Sequence, residues 1–190
     1  MSRTGDKAMV LMVVVTLAVG ILQLDPLGTA KLPKWVEMLG CDGQLMRFDG
    51  KKAELLRLHN EERAERGAPA LCAHPQLEAA AQGHAEDMLK RGFYEHVTPE
   101  GMDPGQRISR TGYPYATYGE NNNRVWGDFA GEPSRQELRE AVESWMDSPG
   151  HRKTLLNPAL REVGFGITTG RYAPERGTTT MYAADFGTRR

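Results

Sequence analysis

Residues 134–152 read SRQELREAVESWMDSPGHR. Ser134 and Glu137 form a capping box, in which hydroxyl and carboxylate satisfy each other's unpaired backbone amides and open a helix. Leu138, Ala141, Val142 and Trp145 then recur on one face. Pro149-Gly150 ends that helix and presents His151. Downstream, Val163, Phe165 and Ile167 alternate, as do Tyr182, Ala184 and Phe186, so two strands are expected, antiparallel across the 170–178 loop. Upstream, 51–66 reads as a helix with Ala53, Leu55, Leu56, Leu58 and His59 on its less polar side, stopped by Gly67. Pro75 opens a second helix reaching Arg91, with Leu77, Ala80, Ala81, His84, Ala85 and Met88 at helical spacing. Between them and the last helix, 92–118 reads mostly as loop, and 119–126 as a strand entered through Glu120. Helices without regular βα alternation predict an α+β domain.

The 190 residues carry 24 Lys+Arg against 25 Asp+Glu, a net charge of -1. That balance excludes a broad basic footprint for nucleic acid. With 39% hydrophobic residues the chain builds a core and is not a disordered segment. Two cysteines are too few for a disulfide-dense mini-fold, and no CxxC or HExxH offers a ready zinc site.

The start carries Arg3 and Lys7, then an apolar run from Ala8 to Leu24. A basic start before an apolar run is an export signal. Gly28-Thr29-Ala30 supplies small residues for cleavage after Ala30, so residues 1–30 are either a cleaved signal peptide or a membrane anchor. Membrane contact is expected through this segment alone. Residues 31–50, with Pro33, Gly40, Gly43 and Gly50 and no sustained period, read as a linker, and the domain proper as 51–190. Outside the cytoplasm two thiols usually pair, which predicts a Cys41–Cys72 disulfide.

These motifs together resemble the CAP superfamily (SCP-like domains of cysteine-rich secretory proteins, antigen 5 and pathogenesis-related 1). His59-Asn60-Glu61-Glu62-Arg63 resembles its HNxxR, and Phe93-Tyr94-Glu95-His96 its loop histidine. Gly119-Glu120-Asn121 resembles its GEN motif, and the string from Trp145 to Arg152 that of the bacterial branch. Gly164-Phe165-Gly166 and Ala184-Asp185-Phe186-Gly187 resemble its closing strands. The resemblance implies a three-layer α-β-α sandwich around a mainly antiparallel sheet, with a cleft lined by two histidines and two acidic residues. His96, Glu120 and His151 match three of these. The second acidic position departs from the pattern, because Ser148 stands where a Glu is expected, with Asp147 before it and Glu143 before the Trp.

Neutral imidazoles of His96 and His151 suit a divalent metal, with Glu120 as ligand or as acceptor behind a ligand. Zinc is what the resemblance implies. The alternative is that these side chains only hydrogen-bond loops together. His59 and His84 face the core and read as structural, and His74 as a cap or surface residue. Ser148 lies three residues from His151, but no G-x-S-x-G elbow supports a serine hydrolase. The expectation is an exported binding module whose cleft takes a small apolar ligand, a peptide or a cell-envelope component. The alternative is a metal-assisted hydrolase using His96, Glu120 and His151.

Overall fold

The computed structural model describes residues 31–127, 132–174 and 177–190. The expected export segment, 1–30, lies outside them. The elements in chain order are β1 (Trp35–Leu39), β2 (Leu45–Asp49), α1 (Gly50–Glu65), β3 (Cys72–Ala73), α2 (Pro75–Arg91), α3 (Pro104–Arg110), β4 (Tyr115–Gly127), α4 (Arg135–Asp147), α5 (Pro149–Leu155), β5 (Glu162–Arg171) and β6 (Thr178–Arg189). The main sheet runs β3-β5-β6-β4. Its long pairs are antiparallel, with Val163 opposite Phe186, Phe165 opposite Ala184 and Ile167 opposite Tyr182. Only the short β3–β5 pair is parallel. The α+β sandwich therefore stands as expected.

Alternation along β6 builds both faces. Tyr182, Ala184 and Phe186 join Leu55, Leu58, Leu138, Val142 and Trp145 from α1 and α4 in the larger core. Met181 and Ala183 join Ala81, Ala85 and Met88 from α2 on the opposite face. Burying one leucine or phenylalanine side chain is worth roughly 1.5–3 kcal/mol. A strand whose both faces are covered thus contributes twice.

Helix α2 lies directly on β5. A Cβ on Gly164 would stand 1.9 Å from the Glu78 amide nitrogen, and one on Gly166 would stand 2.2 Å from the Ala81 carbonyl oxygen. Only glycine permits that backbone approach, and the alanines of α2 complete it.

The HNxxR residues join elements rather than line a site. His59 is fully buried, its Nδ1 2.7 Å from the Leu55 carbonyl oxygen. Burial lowers its pKa to about 4 and keeps it neutral. Asn60 donates to Leu71 O at 3.0 Å and accepts from Leu71 N at 2.8 Å, fixing the approach to β3. The buried Arg63 guanidinium donates to Pro69 O, Leu155 O, Asn157 O and Leu160 O. It thereby ties α1 to the end of α5 and satisfies carbonyls that a buried turn would leave orphaned.

Three expectations change. Residues 31–50 do not form a linker. β1 and β2 pair antiparallel, and Phe48 is 1% exposed in the larger core. Period-two alternation of Val36, Met38, Met46 and Phe48 signals this, but the intervening glycines obscure it. The 92–118 loop contains α3, opened by a capping box between Asp103 and Gln106. The strand expected at 119–126 extends over Tyr115–Gly127. The Cys41–Cys72 disulfide is present, and it clips the hairpin turn to β3.

Two outcomes are expected in thermal or denaturant unfolding. Gly166→Ala should destabilise the domain by more than about 2 kcal/mol, because α2 must move off the sheet. Replacing both cysteines by serine opens a loop spanning 31 positions and should cost about 3–4 kcal/mol.

Candidate functional site

Strand β4 is an edge strand, and its residues 120–123 alternate between the two faces. Glu120 and Asn122 point toward α2 and α3, where the Asn122 amide donates to Glu120 Oε1 at 3.0 Å. Asn121 and Asn123 point the other way and donate to His151 O at 2.9 Å and Ala141 O at 3.3 Å. The free edge is used as well. Asn122 O accepts from the Trp145 indole at 2.9 Å and from the Tyr94 hydroxyl at 3.0 Å. Four consecutive polar residues are therefore buried and bonded to α4, α5 and the loop after α2.

Glu120 is the centre of the polar cluster. Its Oε1 accepts from His96 Nδ1 at 2.7 Å, and its Oε2 from the Arg107 guanidinium. Arg107 also donates to His96 O at 2.8 Å and to Met102 O at 3.1 Å. Burial pushes the Glu120 pKa up. The hydrogen bond from His96, the His84 ring and the Arg107 charge outweigh it, and the net shift is downward. Glu120 is thus held ionised beneath the cleft.

The two cleft histidines differ. The hydrogen bond to Glu120 raises the His96 pKa despite partial burial. His151 is lowered, by burial and by the neighbouring His96. Their ring centroids stand 6.5 Å apart. Together with Tyr94, Glu95 and Asn122 they line a cleft of about 150 Å³. His151 lies in the first turn of α5, not in a loop as the Pro-Gly pair suggested.

The structure brings His96 and His151 together in the cleft lining, with Glu120 behind His96 rather than in the lining, and Asp147 and Ser148 are not part of it either. Asp147 is exposed on the last turn of α4. Ser148 makes no side-chain cap bond, and among the described residues no hydrogen bond joins it to His151. Glu143 is also exposed. The carboxyl opposite Glu120 is Asp185 of β6, its cross-strand partner. Asp185 is completely buried beside Glu120. Burial and then the Glu120 charge raise its pKa well above the usual carboxyl range. Asp185 and Arg107 escape sequence reading because they reach Glu120 from other elements. Their only sequence signal is a charge set within a strand or a short helix.

Both oxygens of Glu120 are engaged, which suits an acceptor behind a histidine ligand better than a ligand. Among the described residues, the single cluster of three ligand-type side chains with donor atoms within 4.8 Å is Cys41, Cys72 and Glu162. Its thiols are taken up by the disulfide.

Residues 56–182 match the family model of the cysteine-rich secretory protein (CAP) family. The chain is 30% identical over 113 residues to the uncharacterized protein YkwD of Bacillus subtilis, covering 60% of this chain and 40% of that one. It is 29% identical over 119 residues to the uncharacterized membrane protein YlbC of the same organism, covering 63% and 32%. The chain therefore spans less than half the length of these curated relatives. Among solved structures, an outer surface protein of Borrelia burgdorferi superposes with a TM-score of 0.58 at 20% identity, covering 74% of this chain and 93% of that one. An extracellular SCP-domain protein of Bacillus anthracis gives 0.55 at 24% identity, covering 78% and 47%. These likenesses show the fold.

Asp185 yields a test by pH. A carboxyl whose folded pKa is raised keeps its proton after the unfolded chain has lost it. Its contribution to stability therefore falls as pH rises from the unfolded value near 4 toward the folded one. Asp185→Asn, which is neutral at every pH, should gain stability relative to the parent as pH rises from about 4 to 8. Melting temperatures across that range measure it. Equal pH dependence in both proteins would show that Asp185 is ionised in the fold.

Proposed function

The chain belongs to the CAP family of cysteine-rich secretory proteins, and from that premise we propose that it is an exported binding module whose His96–His151 cleft holds its ligand. The observation that carries this is the fixing of His96. Glu120 orients its Nδ1, Arg107 holds both Glu120 and the His96 carbonyl, and Asn122 closes the set. A preorganised ring in a small cleft serves recognition directly. Hydrolysis would also need a nucleophile or an activated water. Ser148 is not bonded to His151 among the described residues, and Asp185 is buried away from the cleft lining.

Export is supported by the basic start and the apolar run from Ala8 to Leu24, and by the disulfide. The similar solved proteins described as outer-surface and extracellular agree with it. No helix among the described residues is long and apolar enough to cross a membrane. The ligand class that suits the cleft is a small apolar molecule, a peptide or a cell-envelope component, with Tyr94 supplying an aromatic wall.

The cleft offers a Zn²⁺ ion two imidazoles, and among the described residues no third ligand-type side chain completes a cluster with them. His96 would offer Nε2, since Nδ1 is committed to Glu120, and His151 would offer its ring. A bound zinc would supply a Lewis acid with open positions. This chain's own contribution is to hold the His96 tautomer through Glu120. The metal-assisted hydrolase is the second reading. The specific observation in its favour is the His96 Nδ1 to Glu120 hydrogen bond of 2.7 Å, which fixes the ring and leaves Nε2 free as a ligand atom.

Calorimetric titration with Zn²⁺ tests the cleft. Imidazole ligates only when neutral, and the raised His96 pKa makes this residue protonate first as pH falls. Binding is expected at about pH 7.5 and should be largely lost by about pH 5.5. His96→Ala and His151→Ala should each remove most of it, and Asp147→Ala should leave it intact. If the double histidine variant binds like the parent, the zinc site lies elsewhere. If the parent binds none, the metal-assisted hydrolase is refuted and the binding module stands without a metal.

A further inference from the structure

The β1–β2 hairpin has two unlike faces. Val36, Met38, Met46 and Phe48 turn inward against the larger core. Trp35, Glu37, Leu39, Leu45 and Arg47 turn outward. Of the outward residues, Trp35 is 43% exposed, Leu39 62% and Leu45 66%. The two leucines are direct cross-strand partners, so they form one apolar patch rather than two isolated contacts. The Arg47 guanidinium lies 5.0 Å from the centre of the Trp35 ring, and Lys34 Nζ lies 5.9 Å from it. Lys31 precedes them in the chain. Glu37 stands opposite Arg47 in the backbone register of the hairpin. Asp42 in the turn accepts from the Gln44 amide, and Asp49 caps α1 and pairs with Lys51.

A tryptophan flanked by two basic side chains, on the same strand face as two exposed leucines, is a composition that settles at a bilayer interface. There the indole sits at headgroup depth, the aliphatic groups reach the acyl boundary and the cations meet anionic headgroups. The position in the chain points the same way. The apolar run ends at Leu24, so about ten residues separate it from Trp35. Extended, that stretch spans at most roughly 35 Å. The disulfide to β3 and the buried Phe48 hold the hairpin rigidly on the domain, so contact by this face would orient the whole domain.

We propose that the outer face of the β1–β2 hairpin is a membrane-docking surface. Trp35, Leu39 and Leu45 enter the interface of a bilayer, and Lys31, Lys34 and Arg47 engage its anionic headgroups. The proposal rests on export and on the nearness of the apolar run, and it is independent of the cleft. The domain is thereby presented to the envelope in a fixed orientation rather than swinging on a tether.

Tryptophan quenching tests it. The full chain is reconstituted into vesicles of equal parts phosphatidylglycerol and phosphatidylcholine carrying brominated acyl chains. Trp145 is buried, so Trp35 and the exposed Trp126 are the reporters to separate. The parent should be quenched, Trp35→Phe should lose most of that quenching, and Trp126→Phe should keep it. The Leu39→Ser/Leu45→Ser double variant should lose more than half of it. Because both leucines are largely exposed, its melting temperature should match the parent's. Arg47→Glu provides a second variant, with weaker quenching expected in these vesicles than in vesicles of phosphatidylcholine alone. Unchanged quenching in Trp35→Phe overturns the proposal. So does parent-like quenching in the double leucine variant, which would assign the nearness to tethering alone. Cross-linking between copies through this face without lipid quenching also overturns it, and assigns the face to a second copy.

Discussion

A single buried carboxylate, Glu120, sets the terms for one side of the molecule. A charge removed from water is tolerable only with partners on every lone pair. Glu120 takes His96 and Asn122 on one oxygen and Arg107 on the other. Each partner belongs to a different segment. Arg107 comes from the seven-residue α3, too short to be stable alone. His96 comes from a loop, and Asn122 from the same strand. Satisfying Glu120 therefore assembles the loop, the short helix and the edge strand in one step, and that assembly builds the cleft.

The opposite layer is joined differently. Its contacts are mainly apolar, and its polar joints include the backbone carbonyls collected by Arg63 and Asn60 and the Glu54–Arg135 ion pair between α1 and α4. An uncompensated carbonyl in that turn would cost about 1–3 kcal/mol, so one guanidinium with four acceptors replaces several separate solutions. The sheet between the layers must bear α2 on a glycine surface and α1 with α4 on an aromatic one. Residues 164–166 of β5 meet both demands by alternating Gly, Phe and Gly.

Geometry at the cleft also separates two histidines that are alike in sequence. His96 is tied to a carboxylate and half-exposed, whereas His151 stands on the first turn of α5 with its carbonyl held by Asn121. One is pushed toward the cation and the other toward the neutral ring. Glu143 and Asp147 are exposed on α4, Ser148 caps its end, and Asp185 is fully buried beside Glu120.

Much of this is legible in the residues. Helices at 51–66, 75–91 and from Ser134, and the pairing of 163–167 with 182–186, follow from local periods and caps. Local spacing and caps act over a few residues and are written directly in the chain. The disulfide follows from compartment chemistry, and the grouping of His96, Glu120 and His151 comes from resemblance. The hairpin at 35–49 escapes such a reading because its core packing depends on a partner surface distant in sequence. Asp185 and Arg107 escape it for the same reason. Which carboxyl lies opposite Glu120 is a matter of β4–β6 register, and which cation reaches it is a matter of where α3 docks. Sequence alone determined the long helices, the closing strands and the residues able to do chemistry. Only the tertiary structure decided which of them meet, because burial and charge pairing act through space between segments that the chain keeps tens of residues apart.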